Sequence, residues 1–240
     1  MRYLFLFSIF ISSFSFGQTN IFQTWTETGA KLALSKRVGI GADWTNRIGA
    51  NGFSTVFPQI SFKYKLVDWF RPSVDFRYVM KKQLDATYQA YSRINFNAQF
   101  NYQKKRFSAG LRFRYQYQFS HLNSEYDAEF DKAFRIKPNI EYDINNSIIT
   151  PMISVEFFYD PNYSDLGRRF NEIRYFVGSS LDLNGPHQLQ IGYMFDQKIN
   201  LPAPVNRQIL CLSYIYNVKL YKDKKSKVKV PETNNGSRDL

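Results

Sequence analysis

Eleven charged residues of this chain fall on one side of an alternating pattern, and their chemistry is ion pairing or the attraction of charged solutes. Arg77, Arg93, Arg112, Arg114, Arg135 and Arg174 supply the cations; Glu27, Asp43, Asp75, Glu141 and Glu156 supply the carboxylates. Guanidinium and carboxylate groups interlock as bidentate pairs when water is scarce. Set around an open passage, the same arginines would form a basic wall that concentrates anions. The two arrangements are a closed interior and a narrow pore, and both remain open on sequence alone. Arg77, Arg93, Arg112, Arg114 and Arg135 come from consecutive segments, so they are expected on one sector.

Other chemistry is poorly supplied. The histidines are His121 and His187, far apart in sequence. Ser120-His121 is an adjacent pair, and neighbours in an extended chain point to opposite sides. A nucleophile needs a base and an orienting acid within reach, so no catalytic residues and no enzyme activity are expected. A single cysteine, Cys211, with two distant histidines gives no metal-ligand spacing and allows no internal disulfide. Neither a metal nor a cofactor is expected.

The elements that must position the charges are strands. Along Arg93–Phe119, Ile94, Phe96, Ala98, Phe100 and Tyr102 alternate with Arg93, Asn95, Asn97, Gln99 and Asn101. After Gln103-Lys104-Lys105, Phe107, Ala109, Leu111, Phe113, Tyr115 and Tyr117 alternate with Ser108, Gly110, Arg112, Arg114, Gln116 and Gln118. Side chains of a strand point to opposite faces with period two. One face is apolar and aromatic, the other polar.

Eleven such segments are legible. They are Trp25–Ser35, Arg37–Arg47, Val56–Leu66, Phe70–Tyr78, the two within Arg93–Phe119, Phe134–Asp143, Ile149–Tyr159, Ile173–Leu183, Gln188–Asp196 and Ile209–Val218. Tight turns are expected at Ser35-Lys36-Arg37, Val67-Asp68, Gln103-Lys104-Lys105, Asn145-Asn146 and Asn184-Gly185. Longer loops are expected over Asn46–Thr55, Val79–Gln89, Ser120–Ala133, Asp160–Asn171 and Lys198–Asn206. Short turns at one end and long loops at the other, with apolar-out and polar-in strands, describe an antiparallel transmembrane β-barrel of the outer-membrane type. A secreted β-sandwich shares the one-face alternation but does not require such sorting of loops.

Bacterial single-chain barrels have even strand numbers, so ten to twelve strands are expected. Asn20–Trp25 could lead up through the lumen or pair as a short extra strand, the threonine-rich first segment could lie outside the wall, or the strand count could be off by one elsewhere.

The ends agree with export. Residues 1–17 read as a signal peptide: Arg2, the apolar Tyr3–Phe14, then Ser15-Phe16-Gly17 before Gln18. Residues 18–219 form the expected barrel domain. Residues 220–240 form a basic tail without apolar period, with Lys222, Lys224, Lys225, Lys227 and Lys229. The chain carries a formal net charge of +12, but exported strands with basic residues alternating among aromatics do not suggest nucleic acid. The 23 phenylalanines and 17 tyrosines suit both strands and a membrane interface.

Trp25, the stretch Lys31-Leu32-Ala33-Leu34-Ser35-Lys36, and a second strand ending with Asp43 and Arg47 resemble the DUF2490 family. That family consists of bacterial proteins of unknown function common in the Bacteroidetes. The resemblance implies a membrane barrel and adds no activity and no site residues.

Together these readings lead to a monomeric barrel of the cell outer membrane, in contact with outer-membrane lipid. Its expected role is a narrow channel or binding barrel for small, anionic solutes. The alternative is a closed-lumen structural or adhesive barrel acting through its extracellular loops, and a barrel-embedded lipid-modifying enzyme comes third.

Overall fold

The computed structural model describes residues 19–83, 85–119, 132–162, 167–183, 185–201 and 204–221. The signal stretch, Ser120-His121 and most of the basic tail lie outside these residues.

Eleven strands follow one another in a meander and close on themselves. They are β1 (Thr19–Ala33), β2 (Val38–Gly49), β3 (Gly52–Tyr64), β4 (Phe70–Lys82), β5 (Tyr88–Lys104) and β6 (Phe107–Gln118). The circuit continues through β7 (Lys132–Tyr142), β8 (Ile149–Asp160), β9 (Arg169–Asp182), β10 (His187–Lys198) and β11 (Val205–Lys219). No helix occurs among the described residues.

The even count expected from bacterial barrels is not met. In an antiparallel meander of odd number, the last strand runs in the same direction as the first. The ring therefore closes through a parallel β1–β11 ladder, in register from Thr19 opposite Val205 to Ala33 opposite Lys219. A parallel ladder is only slightly less stable per residue than an antiparallel one, and odd-stranded membrane barrels are known outside bacteria. Asn20–Trp25 is neither a separate strand nor a luminal leader; it is the first third of β1, paired to β11. The threonine-rich segment belongs to the wall.

Several strands run further than the alternation suggested. The expected loop Asn46–Thr55 is a hairpin, with Gly49 paired to Gly52 across Ala50-Asn51. Gly52 adopts φ +83°, a conformation costly for residues with a Cβ, and this lets the chain reverse in two residues. Likewise β4 and β5 extend to Lys82 and Tyr88. The alternating contrast fades in these strand ends because residues such as Lys81, Lys82 and Gln89 are polar whichever way they point. The sorting of connections into short and long is correspondingly less strict than expected.

Prolines interrupt the ladders locally. The β3–β4 register lapses between Val56 and Gln59, beside Pro58, and the β7–β8 register between Ile136 and Asn139, beside Pro138. Proline has no N–H to donate.

The two wall faces are inverted relative to a soluble fold. Outside, Ile60, Phe76, Phe96, Phe113, Ile140, Ile153 and Val177 are exposed around the middle of the barrel. Aromatic groups mark both ends of this band: Phe22, Phe53, Tyr88 and Phe119 at one, Trp69, Tyr102 and Phe107 at the other. Inside, Asp75, Arg77, Arg112, Arg114, Glu156 and Asp196 are buried.

Candidate functional site: an ionic network across the barrel interior

Strand parity aims every predicted charged residue into the barrel, and cross-strand register decides which of them meet. Glu156 on β8 is the centre of the largest group. Arg135 on β7 grips it with both prongs, Nε donating to Oε1 at 2.8 Å and Nη2 to Oε2 at 2.9 Å. Arg112 on β6 donates from Nη2 to Oε1 at 2.7 Å. A carboxylate shared by two arginines is well compensated for its desolvation.

Asp75 anchors the second group. Arg114 Nη2 donates to Asp75 Oδ2 at 2.9 Å, and Asn97 Nδ2 donates to the same oxygen at 2.9 Å. Arg114 Nε also donates to Asn97 Oδ1, so Asn97 holds both ends of the ion pair. Arg77 reaches Asp43 only through Gln59. It donates from Nε to Gln59 Oε1 at 2.8 Å, and Gln59 Nε2 donates to Asp43 Oδ1 at 3.2 Å.

The third group contains residues that sequence reasoning left out. Glu156, Arg174, Asp196 and Arg207 are successive cross-strand partners over β8, β9, β10 and β11. Arg174 donates to Asp196 at 3.3 Å and to Glu172; Arg207 donates to Asp196 at 3.3 Å; Lys198 donates to Glu172. The signal for Glu172 was present, since it stands two residues before Arg174 on the same parity. It precedes the segment Ile173–Leu183 by one residue, where the alternation is not yet visible. Asp196 is the last residue of Gln188–Asp196 and shares the parity of Gln190 and Gly192.

The remaining predicted residues are Arg93, Glu27 and Glu141. Arg93 donates to the Tyr91 hydroxyl at 3.3 Å and to Gln118 Oε1 at 3.4 Å. Glu27 accepts from Ser213 Oγ at 3.2 Å, and Glu141 from Asn139 Nδ2 at 3.5 Å.

A second correction concerns the interior's apolar content. The alternation implied a polar lumen, yet Trp25, Phe176, Met194, Ile209 and Cys211 form a buried apolar cluster there, and Phe57, Val79 and Tyr91 form another. They occupy the same parity as the charges. The Phe176 ring lies so close over Gly192 that a Cβ there would sit 2.4 Å from a ring carbon, so only glycine fits beneath it. Aromatic faces carry arginines across the interior. The Arg47 guanidinium lies 3.9 Å from the Trp25 ring centre and that of Arg77 4.4 Å from Phe57. Phe158 is approached by Arg135 at 4.4 Å and Arg174 at 4.7 Å. Such contacts strengthen when water is excluded.

The result is a filled cross-section. Arg112 is 1% exposed, Glu172 1%, Trp25 0% and Asp196 0%. Water-sized access to these groups from either mouth is therefore closed. A cavity of about 30 Å³ lies between Glu27, Lys31, Asp43, Lys63, Asp75 and Arg114. That is room for about one or two water molecules.

Among the described residues no group of three His, Cys, Asp or Glu side chains could hold a metal. His187 Nδ1 lies 2.7 Å from the Tyr214 hydroxyl, and Cys211 is buried with no disulfide.

A search of curated proteins finds no match. The family model for a protein of unknown function, DUF2490, matches residues 22–207, from the start of β1 into β11. That match takes in most of the wall and every acid and arginine of the ionic network, so the chain belongs to the DUF2490 family.

Proposed function

We propose that this chain is a monomeric outer-membrane β-barrel without catalytic activity, whose lumen is closed and whose work is done at its two rims. The observation that carries this reading is the inverted wall: an exposed apolar band outside and a buried ionic network inside. Exposed apolar groups in a continuous belt are costly in water and favourable in lipid. The network supports a shut lumen because its carboxylates Glu156, Asp75 and Asp196 each hold an arginine across the interior. An open passage would leave them facing solvent.

A second reading, a narrow channel or binding barrel for small anions, draws on the surplus of interior cations. Arg47, Lys63, Arg77, Arg93, Arg112, Arg114, Arg135, Lys137, Arg174, Lys198 and Arg207 outnumber the inward acids Glu27, Asp43, Asp75, Glu141, Glu156, Glu172, Asp182 and Asp196. It requires the Arg112–Glu156–Arg135 cluster to part.

Planar-bilayer recording tests both readings. The chain from Gln18, folded from urea into phosphatidylcholine vesicles, should migrate faster in SDS gels before boiling than after. The folded barrel should then be electrically silent. Steady anion-selective conductance would replace the closed barrel with the channel. Recovery from cells as a soluble periplasmic protein would overturn the membrane reading altogether.

A further inference from the structure

The rim built from short turns is divided into two unlike arcs. From β1 to β6 its turns carry Lys36 and Arg37, then Lys65, then Lys104, Lys105 and Arg106. All but the half-buried Lys65 are exposed. The turns between β7 and β8 and between β9 and β10, residues 143–148 and 183–186, contain no cation. Asp68 is the basic arc's acid. It accepts from Lys65 Nζ at 2.7 Å, and this bond holds its carboxyl below the usual range, so it cancels one cation.

The basic arc is a built surface. Neighbouring turns are tied by backbone hydrogen bonds: Lys65 N to Arg37 O at 2.6 Å, Asn101 N to Trp69 O at 2.9 Å, and Asp143 N to Arg106 O at 2.9 Å. Lys105 sits at φ +56°, where glycine or asparagine would be unstrained, yet the turn keeps a lysine. Directly beside the cations, Leu34, Leu66, Val67, Trp69, Tyr102 and Phe107 are exposed. Trp69 stacks on Phe100, which packs on Phe70. A band of aromatic groups bordered by cations matches the headgroup boundary of a bilayer, rings at the carbonyl level and charges at the phosphates.

The parallel seam brings the end of β11 to the same rim. Because β11 runs alongside β1, the chain leaves the barrel at this rim, with Leu220 N donating to Ala33 O at 2.9 Å beside the Lys36-Arg37 turn. The sequence then continues through Lys222, Lys224, Lys225, Lys227 and Lys229. The start of β1 lies at the opposite rim, so the two ends of the described barrel face opposite sides.

We propose that this basic arc binds the phosphate headgroups of anionic phospholipids in the periplasmic leaflet. The inference rests on the membrane-barrel reading, in which short turns face the periplasm. It makes the arc an anchor that fixes the barrel's depth and recruits acidic lipid to one side of the wall. Each cation near an anionic surface contributes roughly fivefold in affinity, and the effect is screened by salt.

The test uses the chain from Gln18 to Leu240, folded into phosphatidylcholine vesicles and then extracted into a mild detergent. Native mass spectrometry would compare adducts of phosphatidylglycerol and phosphatidylcholine offered at equal concentration. A phosphatidylglycerol preference of tenfold or more is expected, shrinking severalfold between low and high salt. The variant K36Q/R37Q/K104Q/K105N/R106Q should lose most of the preference while folding normally, and removal of residues 222–240 should leave most of it. No preference in the native chain, or a preference that survives the turn variant and vanishes only with the tail removed, would overturn the arc. Stronger retention of lipid A than of phosphatidylglycerol would overturn the periplasmic assignment. Failure to fold into phosphatidylcholine at all would instead defeat the membrane reading on which the inference stands.

Discussion

Along β5, Phe96 is 48% exposed while its neighbours Asn95 and Asn97 are 0% and 8% exposed. The outer face and the lumen of one strand thus reverse the sorting of a water-soluble sheet. On the membrane reading, an outward apolar position could be exchanged for another apolar residue, because lipid asks only for hydrocarbon. Each inward position is specified by a partner. Phe96 meets a solvent, whereas Asn97 meets Ser73, Asp75 and Arg114. The difference teaches that the outer face answers to its surroundings and the lumen to named partners.

The largest effect is expected where the lumen's charges depend on one group. Glu156→Gln leaves Arg112 and Arg135 without the carboxylate that both hold. Removing one partner from a buried ion cluster costs about 3–5 kcal/mol. Urea unfolding of the folded barrel in micelles should show a loss of this size. A change below about 1 kcal/mol would mean that water reaches Glu156, and the contrast between the two faces would collapse into that of an open pore.

The outer face responds to solvent alone. Phe96→Arg should cost about 2–4 kcal/mol if the residue sits near a bilayer midplane. The measurement is folding efficiency into vesicles, read by heat-dependent mobility in SDS gels. A neutral or stabilising result would show that this face meets water, and the inverted wall would then need a protein cover instead of lipid.

Asn97→Ala sharpens the comparison at the adjacent position. It removes a donor to Asp75 and an acceptor for Arg114, both buried. Leaving such groups undersatisfied costs about 1–3 kcal/mol. The parity rule alone predicts little effect for Asn97, since a polar residue facing an open lumen is easily replaced. The expected loss follows from the filled interior.

Much of this architecture was legible because one physical rule, period-two alternation, repeats in every strand. All eleven segments are strands, and all eleven predicted charged residues point inward. What the sequence hid has identifiable causes. Closure by the parallel β1–β11 ladder leaves no local mark, since pairing of residue 19 with residue 205 depends on the whole ring. Strand ends such as Lys81-Lys82 carry polar residues on both faces, which erases the alternation. Trp25, Phe57 and Phe158 look misplaced on a polar parity until arginines are found on their rings. The choice between pore and filled interior depended on side-chain volume and on who pairs with whom, and neither is encoded in spacing.

Arg93 tests how far the lumen's tight packing extends toward the rim. By sequence it ranks with Arg112 and Arg135, on the same parity and in the same sector. In the barrel it is only half-buried, and it donates to the Tyr91 hydroxyl and to Gln118, with the Tyr91 ring centre 5.2 Å from its guanidinium. An exposed cation–π contact contributes about 0.5–1 kcal/mol. Arg93→Gln should therefore shift urea unfolding by no more than about 1 kcal/mol, well below the loss expected for Glu156→Gln. If Arg93→Gln proves as damaging as Glu156→Gln, the ionic network extends to the mouth on this sector, and the rim there is as closed as the centre. If it opens a conductance that the native barrel lacks, Arg93 is the outer member of a gate, and the boundary between rim and network belongs one residue row lower.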